Sequence, residues 1–399
     1  MNKKLLRYTV VGLSIVLPAL SGEAAPIVAS GSYGGFSWYG GSLIIGQTST
    51  ATAAGGGDPR YFAPMPQYSG VAALILNFAS GDSFICSGSL LSDRRSILTA
   101  AHCTHPDATT GALLSTTAYF YGGSDPDTIV PTSPFSTAVP ISAVFENPAY
   151  AATSFIDQND IAVLRLSTMA PSFALAYGLS ADTDLTGDGY NSAGYGARSD
   201  TGGSVGDNLG NGRLRQGDNR YEYRMGDPDF AGGWANIFGG FPAAQIANVY
   251  LADFDNGLAA NDTACLKLTD PIFPSGLTGP KYCDLGLGAD EVGAAGGDSG
   301  GPQFDANGLI TSITSFGMGF GTVYGDFDND FNASWGEFSG FVPVSVHRDF
   351  IVAAMAPAPG ALMLVVLGLA GMSAVRRFPP SRGNRGETLT RRCSPARPC

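Results

Sequence analysis

Histidine is scarce in this chain, with three in 399 residues. Basic residues are also few: 22 Lys and Arg stand against 34 Asp and Glu, a formal net charge of −12. Two terminal segments described below hold three basic residues before residue 25, seven from Arg376 onward, and Glu23 and Glu387. The remainder keeps 12 basic and 32 acidic residues, a charge near −20. Such a surface repels nucleic acid and anionic membrane, so neither is expected as a partner. The six cysteines include no C-x-x-C pair, which makes a zinc site a poor reading. No repeat or heptad pattern stands out. The apolar runs Tyr8–Leu20 and Ala361–Val375 are both shorter than the roughly 20 residues of a full membrane span.

Both ends have the composition of targeting segments. Lys3, Lys4 and Arg7 precede the first apolar run, and small residues around Gly22-Glu23-Ala24-Ala25 follow it. Residues 1–24 therefore read as a secretory signal; shortness and Pro18 count against an anchor. Six cysteines fit an oxidising compartment. Residues 25–67, rich in Gly, Ser, Thr and Ala, are expected to form a flexible leader or pro-segment, with short strands around Ser42–Ile45. From Val71 the pattern changes. Short β-type runs such as Val71–Leu76 and Ser96–Thr99 recur as far as Val342-Pro343-Val344, broken by Gly/Asp/Asn clusters. That pattern predicts a sandwich or barrel, with a helix near Val346–Met355. The expected organisation is a domain over 68–356, a second targeting segment over 357–377 and a basic tail over 378–399.

What the chain has in quantity is glycine, 55 residues. One glycine-rich run is chemically distinctive: Gly297-Asp298-Ser299-Gly300-Gly301-Pro302. A serine hydroxyl becomes a useful nucleophile when a base takes its proton and fixed N–H donors face the developing oxyanion. Flanking glycines let the backbone approach a substrate carbonyl. Glycine-rich turns are common, so the reading depends on partners upstream. Thr99-Ala100-Ala101-His102-Cys103 supplies a histidine. Asn159-Asp160-Ile161-Ala162-Val163-Leu164-Arg165-Leu166 supplies an acid at the head of an apolar run. His, Asp, Ser is one of the known chain orders of a catalytic triad.

At these three runs the sequence resembles the chymotrypsin/trypsin family of serine endopeptidases. The resemblance extends to Cys86-Ser87-Gly88-Ser89-Leu90-Leu91, to Ala193-Gly194-Tyr195-Gly196 and to Ser315-Phe316-Gly317, and covers roughly residues 69–354. It implies an all-β fold of two six-stranded antiparallel β-barrels with a C-terminal helix. It implies Ser299 as nucleophile, His102 as general base and Asp160 as the acid that orients it, with the N–H groups of Gly297 and Ser299 as the oxyanion hole. Ser315, Phe316 and Gly317 would bind the substrate backbone. Gly293, where trypsin-like members carry an acid, points to a small or apolar side chain at the cleavage position. Cys86 would pair with Cys103 and Cys265 with Cys283, while Ala295 stands where a further cysteine is usual. His105 and His347 read as structural or solvated. The partner would be a protein or peptide substrate, and no cofactor is required. Many members need a new N-terminal amine to reach the acid before the serine, here Asp298. Candidate starts are Ile44-Ile45-Gly46-Gln47 and the peptide after Arg60, and a fixed donor is the alternative. A reading of another class also stands: a surface-sorted binding or matrix protein that keeps the fold without turnover.

Two further runs carry expectations. Pro357-Ala358-Pro359-Gly360, the apolar run and Arg376-Arg377 resemble the PEP-CTERM sorting signal. That resemblance implies a transient membrane tether, cleavage by an exosortase-like enzyme, and export to the cell surface or extracellular matrix of a Gram-negative bacterium. Ala358 departs from the usual Glu, and a plain anchor is the alternative. Asp326, Asp328 and Asp330, with Glu337 at the twelfth position, resemble a loop for a structural Ca²⁺. Phe331 replaces the turn glycine, and a solvated acidic loop is the competing reading.

Overall fold

A computed structural model describes residues 29–33, 36–41, 43–239 and 241–356. The expected signal segment, sorting segment, basic tail, Cys393 and Cys399 lie outside them. Among the described residues no helix is long and apolar enough to cross a membrane.

Three strands precede the main body: β1 (Ala29–Tyr33), β2 (Phe36–Gly41) and β3 (Leu43–Gly46). Six strands then form a closed antiparallel barrel: β4 (Val71–Phe78), β5 (Ser83–Leu90), β6 (Ser96–Thr99), β7 (Leu113–Tyr121), β8 (Ser136–Glu146) and β9 (Ala162–Leu166). Their order around the ring is β4-β5-β6-β9-β8-β7. Leu74, Leu76, Ile97, Phe120, Val163 and Leu164 are fully buried in it. Each such side chain contributes about 1.5–3 kcal/mol relative to exposure, so these short runs hold together by closing on a shared core.

The second half contains β10 (Gly189–Gly194), β11 (Arg215–Arg220), β12 (Tyr223–Arg224), β13 (Tyr250–Asp253), β14 (Val292–Ala295), β15 (Pro302–Phe304), β16 (Ile310–Gly319) and β17 (Phe338–Pro343). The main sheet runs β11-β10-β15-β16-β17-β13-β12. Its two end strands are consecutive in the chain, separated only by Tyr221 and Glu222. The stretch 215–224 is therefore one wall, pairing with β10 at one end and β13 at the other. The Glu222 N–H donates to Leu251 O at 2.8 Å and continues that second pairing. Counted this way the second half has six walls, joined at one corner by the covalent chain. Aromatic rings fill it. Trp234 packs on Tyr223, Phe273, Phe320 and Phe338 with centroids 5.3–6.0 Å apart. A helix over Arg348–Met355 closes the domain, burying Ile351 and Ala354.

In the leader, β3 falls where short strands were expected around Ser42–Ile45. Within 25–67 the structure has β1, β2 and β3, and two short helical turns over Ala53–Gly55 and Pro59–Tyr61. β1 pairs with β2, β2 with β16, and β3 with β14. Composition argued for irregular chain because β2 and β3 find partners in the main body more than 240 positions away.

Candidate active site

The closed barrel brings the first two residues together. β6 pairs with β9 so that Thr99 lies opposite Ala162. His102 follows one strand and Asp160 precedes the other, so both sit at the same rim. His102 Nδ1 lies 2.7 Å from Asp160 Oδ2, and the His102 backbone N–H donates to Oδ1 at 2.8 Å. A carboxylate only accepts, so this contact places the ring proton on Nδ1 and leaves Nε2 free to take one. The Ser315 hydroxyl donates to Oδ2 at 2.6 Å. Asp160 is 3% exposed. Burial opposes its charged form, but the His102 charge, the His102 ring bond, the Ser315 hydroxyl and the His102 backbone N–H outweigh it. The carboxyl is held below its usual range.

Ser315 reaches Asp160 because β16 is irregular there. Its register against β17 shifts between Thr314 and Phe316. Such a bulge re-aims a side chain locally. Phe316 stays buried, edge-on to Phe155 at 5.5 Å. Gly317 lies opposite Gly41 of β2.

Both halves of the molecule hold the serine loop. From the closed barrel, the Ser87 N–H donates to Ser299 O at 2.9 Å and its hydroxyl to Gly297 O at 2.8 Å. From β16, Thr314 O accepts the Gly300 N–H at 2.8 Å, and the Thr314 N–H donates to Gly301 O at 2.9 Å. Gly300 has φ +76°, and a Cβ there would lie 2.0 Å from Thr99 Oγ1; no side chain fits. The Ser299 hydroxyl is buried and has no hydrogen-bond partner among the described residues. His102 Nε2 and Ser299 O both flank Cys103 Sγ, at 3.9 and 3.7 Å. The oxygen near the sulfur is the Ser299 main-chain carbonyl, so the contact places the serine residue beside the imidazole, while its hydroxyl makes no bond to the ring; such bonds often tighten only with substrate bound. Among the described residues, the Gly297 and Ser299 N–H groups have no acceptor.

Asp298 points away from this opening and is fully buried. Its Oδ1 accepts the Gly196 N–H at 2.9 Å. Burial pushes its carboxyl well above the usual range, and the Gly196 bond opposes this only in part. Of the two candidate chain starts, Ile44 lies opposite Ala294, four residues before Asp298. Arg60 instead pairs with Asp58 and Asp290.

The remaining sequence-derived residues have definite places. Cys86–Cys103 and Cys265–Cys283 form disulfides. Gly293 lies in β14 opposite Ile45, and a Cβ there would meet Phe254 at 2.9 Å. His105 contacts Glu146 at 2.8 Å, and His347 contacts the Gln158 carbonyl at 2.6 Å. Asp326 Oδ1 accepts the Asp328 and Asn329 N–H groups, and Asp328 Oδ1 that of Asp330. Glu337 Oε1 accepts from the Asn332 and Ser334 N–H groups. The loop's own backbone thus engages Asp326, Asp328 and Glu337. Among the described residues, Cys86, His102 and Cys103 are the one set of three His/Cys/Asp/Glu with ligand atoms within 4.8 Å of one another. Both sulfurs there are spent in the disulfide, so that set is not a metal centre. A cavity of about 220 Å³ lies beside it, lined by His102, the disulfide, Phe78, Phe84, Pro106 and Ala108 among others.

Sequence reasoning missed Ser87 as a positioning residue. Its hydroxyl also accepts the Tyr195 N–H at 2.9 Å, so one side chain ties Tyr195 to the serine loop. The only signal was its place beside Cys86.

Residues 64–224 match the trypsin family model. The fold is the chymotrypsin-like double β-barrel. The trypsin match holds His102 and Asp160 and ends before Ser299, which the tertiary structure brings in. A solved structure described as an HL collagenase is similar at 17% identity, with a TM-score of 0.47, over 75% of this chain and 99% of that one. No curated protein matches.

Proposed function

We propose that this trypsin-like domain is an exported serine endopeptidase acting through Ser299, His102 and Asp160. The doubly bonded Asp160–His102 pair, beside a serine in a fixed glycine loop, is the observation that carries this reading. His102 Nε2 takes the proton as Ser299 Oγ attacks the scissile carbonyl. The N–H groups of Gly297 and Ser299 hold the oxyanion. His102 then gives its proton to the leaving amine, and water hydrolyses the acyl-enzyme with His102 again as base. Substrate would lie along Ser315–Gly317, with a small or apolar residue at the cleavage position. Export by the N-terminal segment and surface sorting by the C-terminal one complete the proposal. A fluorophosphonate probe tests it: the processed wild type should label at Ser299 and Ser299→Ala should not. A folded, processed protein that fails to label supports the non-catalytic binding protein instead.

A further inference from the structure

The C-terminal end of β16 is an edge that the barrel leaves open. β17 pairs with one side of Met318 and Gly317. On the other side, β15 reaches only as far as Ile313. The remaining edge is filled from within the chain: Gly41 lies opposite Gly317, Gly40 opposite Met318 and Tyr39 opposite Gly319, all antiparallel. β1 then pairs along the outer side of β2. All ten residues of β16 are buried, Met318 at 0% exposure. An unpaired edge strand is a template for another extended chain, and here that chain is the protein's own leader.

We propose that β2 occupies the backbone track along which an extended peptide substrate would lie, so that the chain with its leader is self-inhibited toward such substrates. The inference rests on the proposed function of the Ser315–Gly317 strand. The register shows why the leader acts as an occupant and not as a substrate. Continuing the pairing would set Leu43 opposite Ser315, beside the serine loop. Instead Leu43 lies opposite Ala295 in β14. The chain leaves the edge after Gly41, and the bonds that follow are carried away from Ser299. Three residue pairs are weak by themselves, but the tether makes the contact intramolecular. A short linker gives an effective concentration on the order of millimolar, enough to exclude a dilute peptide.

The test uses the full chain with Gly40→Pro and Gly41→Pro together, since proline cannot donate to a ladder. Two reagents are compared: a fluorophosphonate, which needs Ser299 but not the edge, and a peptide substrate of at least four residues before the cleaved bond. Labelling should be equal in wild type and variant. Peptide hydrolysis should rise at least about tenfold in the variant, because a tethered competitor has been removed. Equal hydrolysis with intact labelling overturns the proposal and leaves the serine chemistry standing. If neither protein labels, the function reading fails. Hydrogen exchange then decides the contact itself: those amides of Gly317–Gly319 that face β2 should be protected in wild type and exchange at least tenfold faster in the variant, and unchanged exchange overturns it. Should the variant not fold, exchange in the wild type suffices. Gly40 and Gly41 turn their N–H groups to opposite edges of β2, so the amide that faces β16 decides: fast exchange there overturns the proposal, and slow exchange there supports it.

Discussion

Asp160 grips His102 at two points, its ring at 2.7 Å and its backbone N–H at 2.8 Å. One carboxylate therefore fixes both the tautomer of the imidazole and the position of the turn that carries it. Rotation of the ring breaks one bond, and movement of the loop breaks the other.

Replacing that carboxylate tests the arrangement directly. Asp160→Asn should keep the fold and lower turnover by about 10⁴, because an amide at Oδ2 cannot select the same tautomer. Ser315→Ala removes one hydrogen bond to the same oxygen, worth about 1.5–3 kcal/mol for a charged acceptor. Its loss of kcat/KM should be smaller, roughly 10- to 100-fold at most. Steady-state kinetics on both variants checks the order; a larger loss for Ser315→Ala would contradict the assigned roles.

Gly194 is fixed by Asp298. A Cβ at Gly194 would lie 1.9 Å from Asp298 Oδ1. Gly194→Ala must displace that carboxylate, and the Ser299 loop follows it. The expected result is a loss of about 1–3 kcal/mol of stability, as for overpacked cores, together with lost fluorophosphonate labelling. Calorimetry and labelling of the same sample check it, and full labelling would show that the Asp298 position does not govern the serine.

Stability should fall as pH rises above neutrality. Burial raises Asp255 and Asp262 to about 6 and Glu291 to about 10. Each is raised above its unfolded value. Its contribution is therefore complete below about pH 4 and is lost as pH rises through its folded value. Asp160 is lowered and acts in the opposite sense, losing its contribution as pH falls below about 4. Melting temperature should accordingly be higher at pH 5 than at pH 9, with Glu291→Gln flattening the alkaline part. A melting temperature that climbs between pH 5 and 9 would contradict the burial of these acids.

Much of the site was legible in the chain because its chemistry needs local backbone. Gly297 and Gly300 both have positive φ and sit against neighbouring atoms, so the turn around Ser299 could be read from residue types alone. The disulfide partners followed from family resemblance, and the structure joins both pairs. The acidic run Asp326–Glu337 was legible in the same local way, with a Ca²⁺ loop and a solvated acidic loop as its two readings. Its spacing matches a cation loop, and in the structure Asp326, Asp328 and Glu337 cap N–H groups within the loop.

The sequence by itself determined which residues could do chemistry, since scarce histidines, a compact glycine turn and one acid before a β-run leave few combinations. Tertiary structure alone decided what each of them touches. Ser315 turns to Asp160 through a bulge, Ser87 ties the serine loop to the first barrel, and β2 finds β16 across more than 270 positions. Strand pairing is selected by whichever edge the folded core leaves open, and no local pattern encodes that edge.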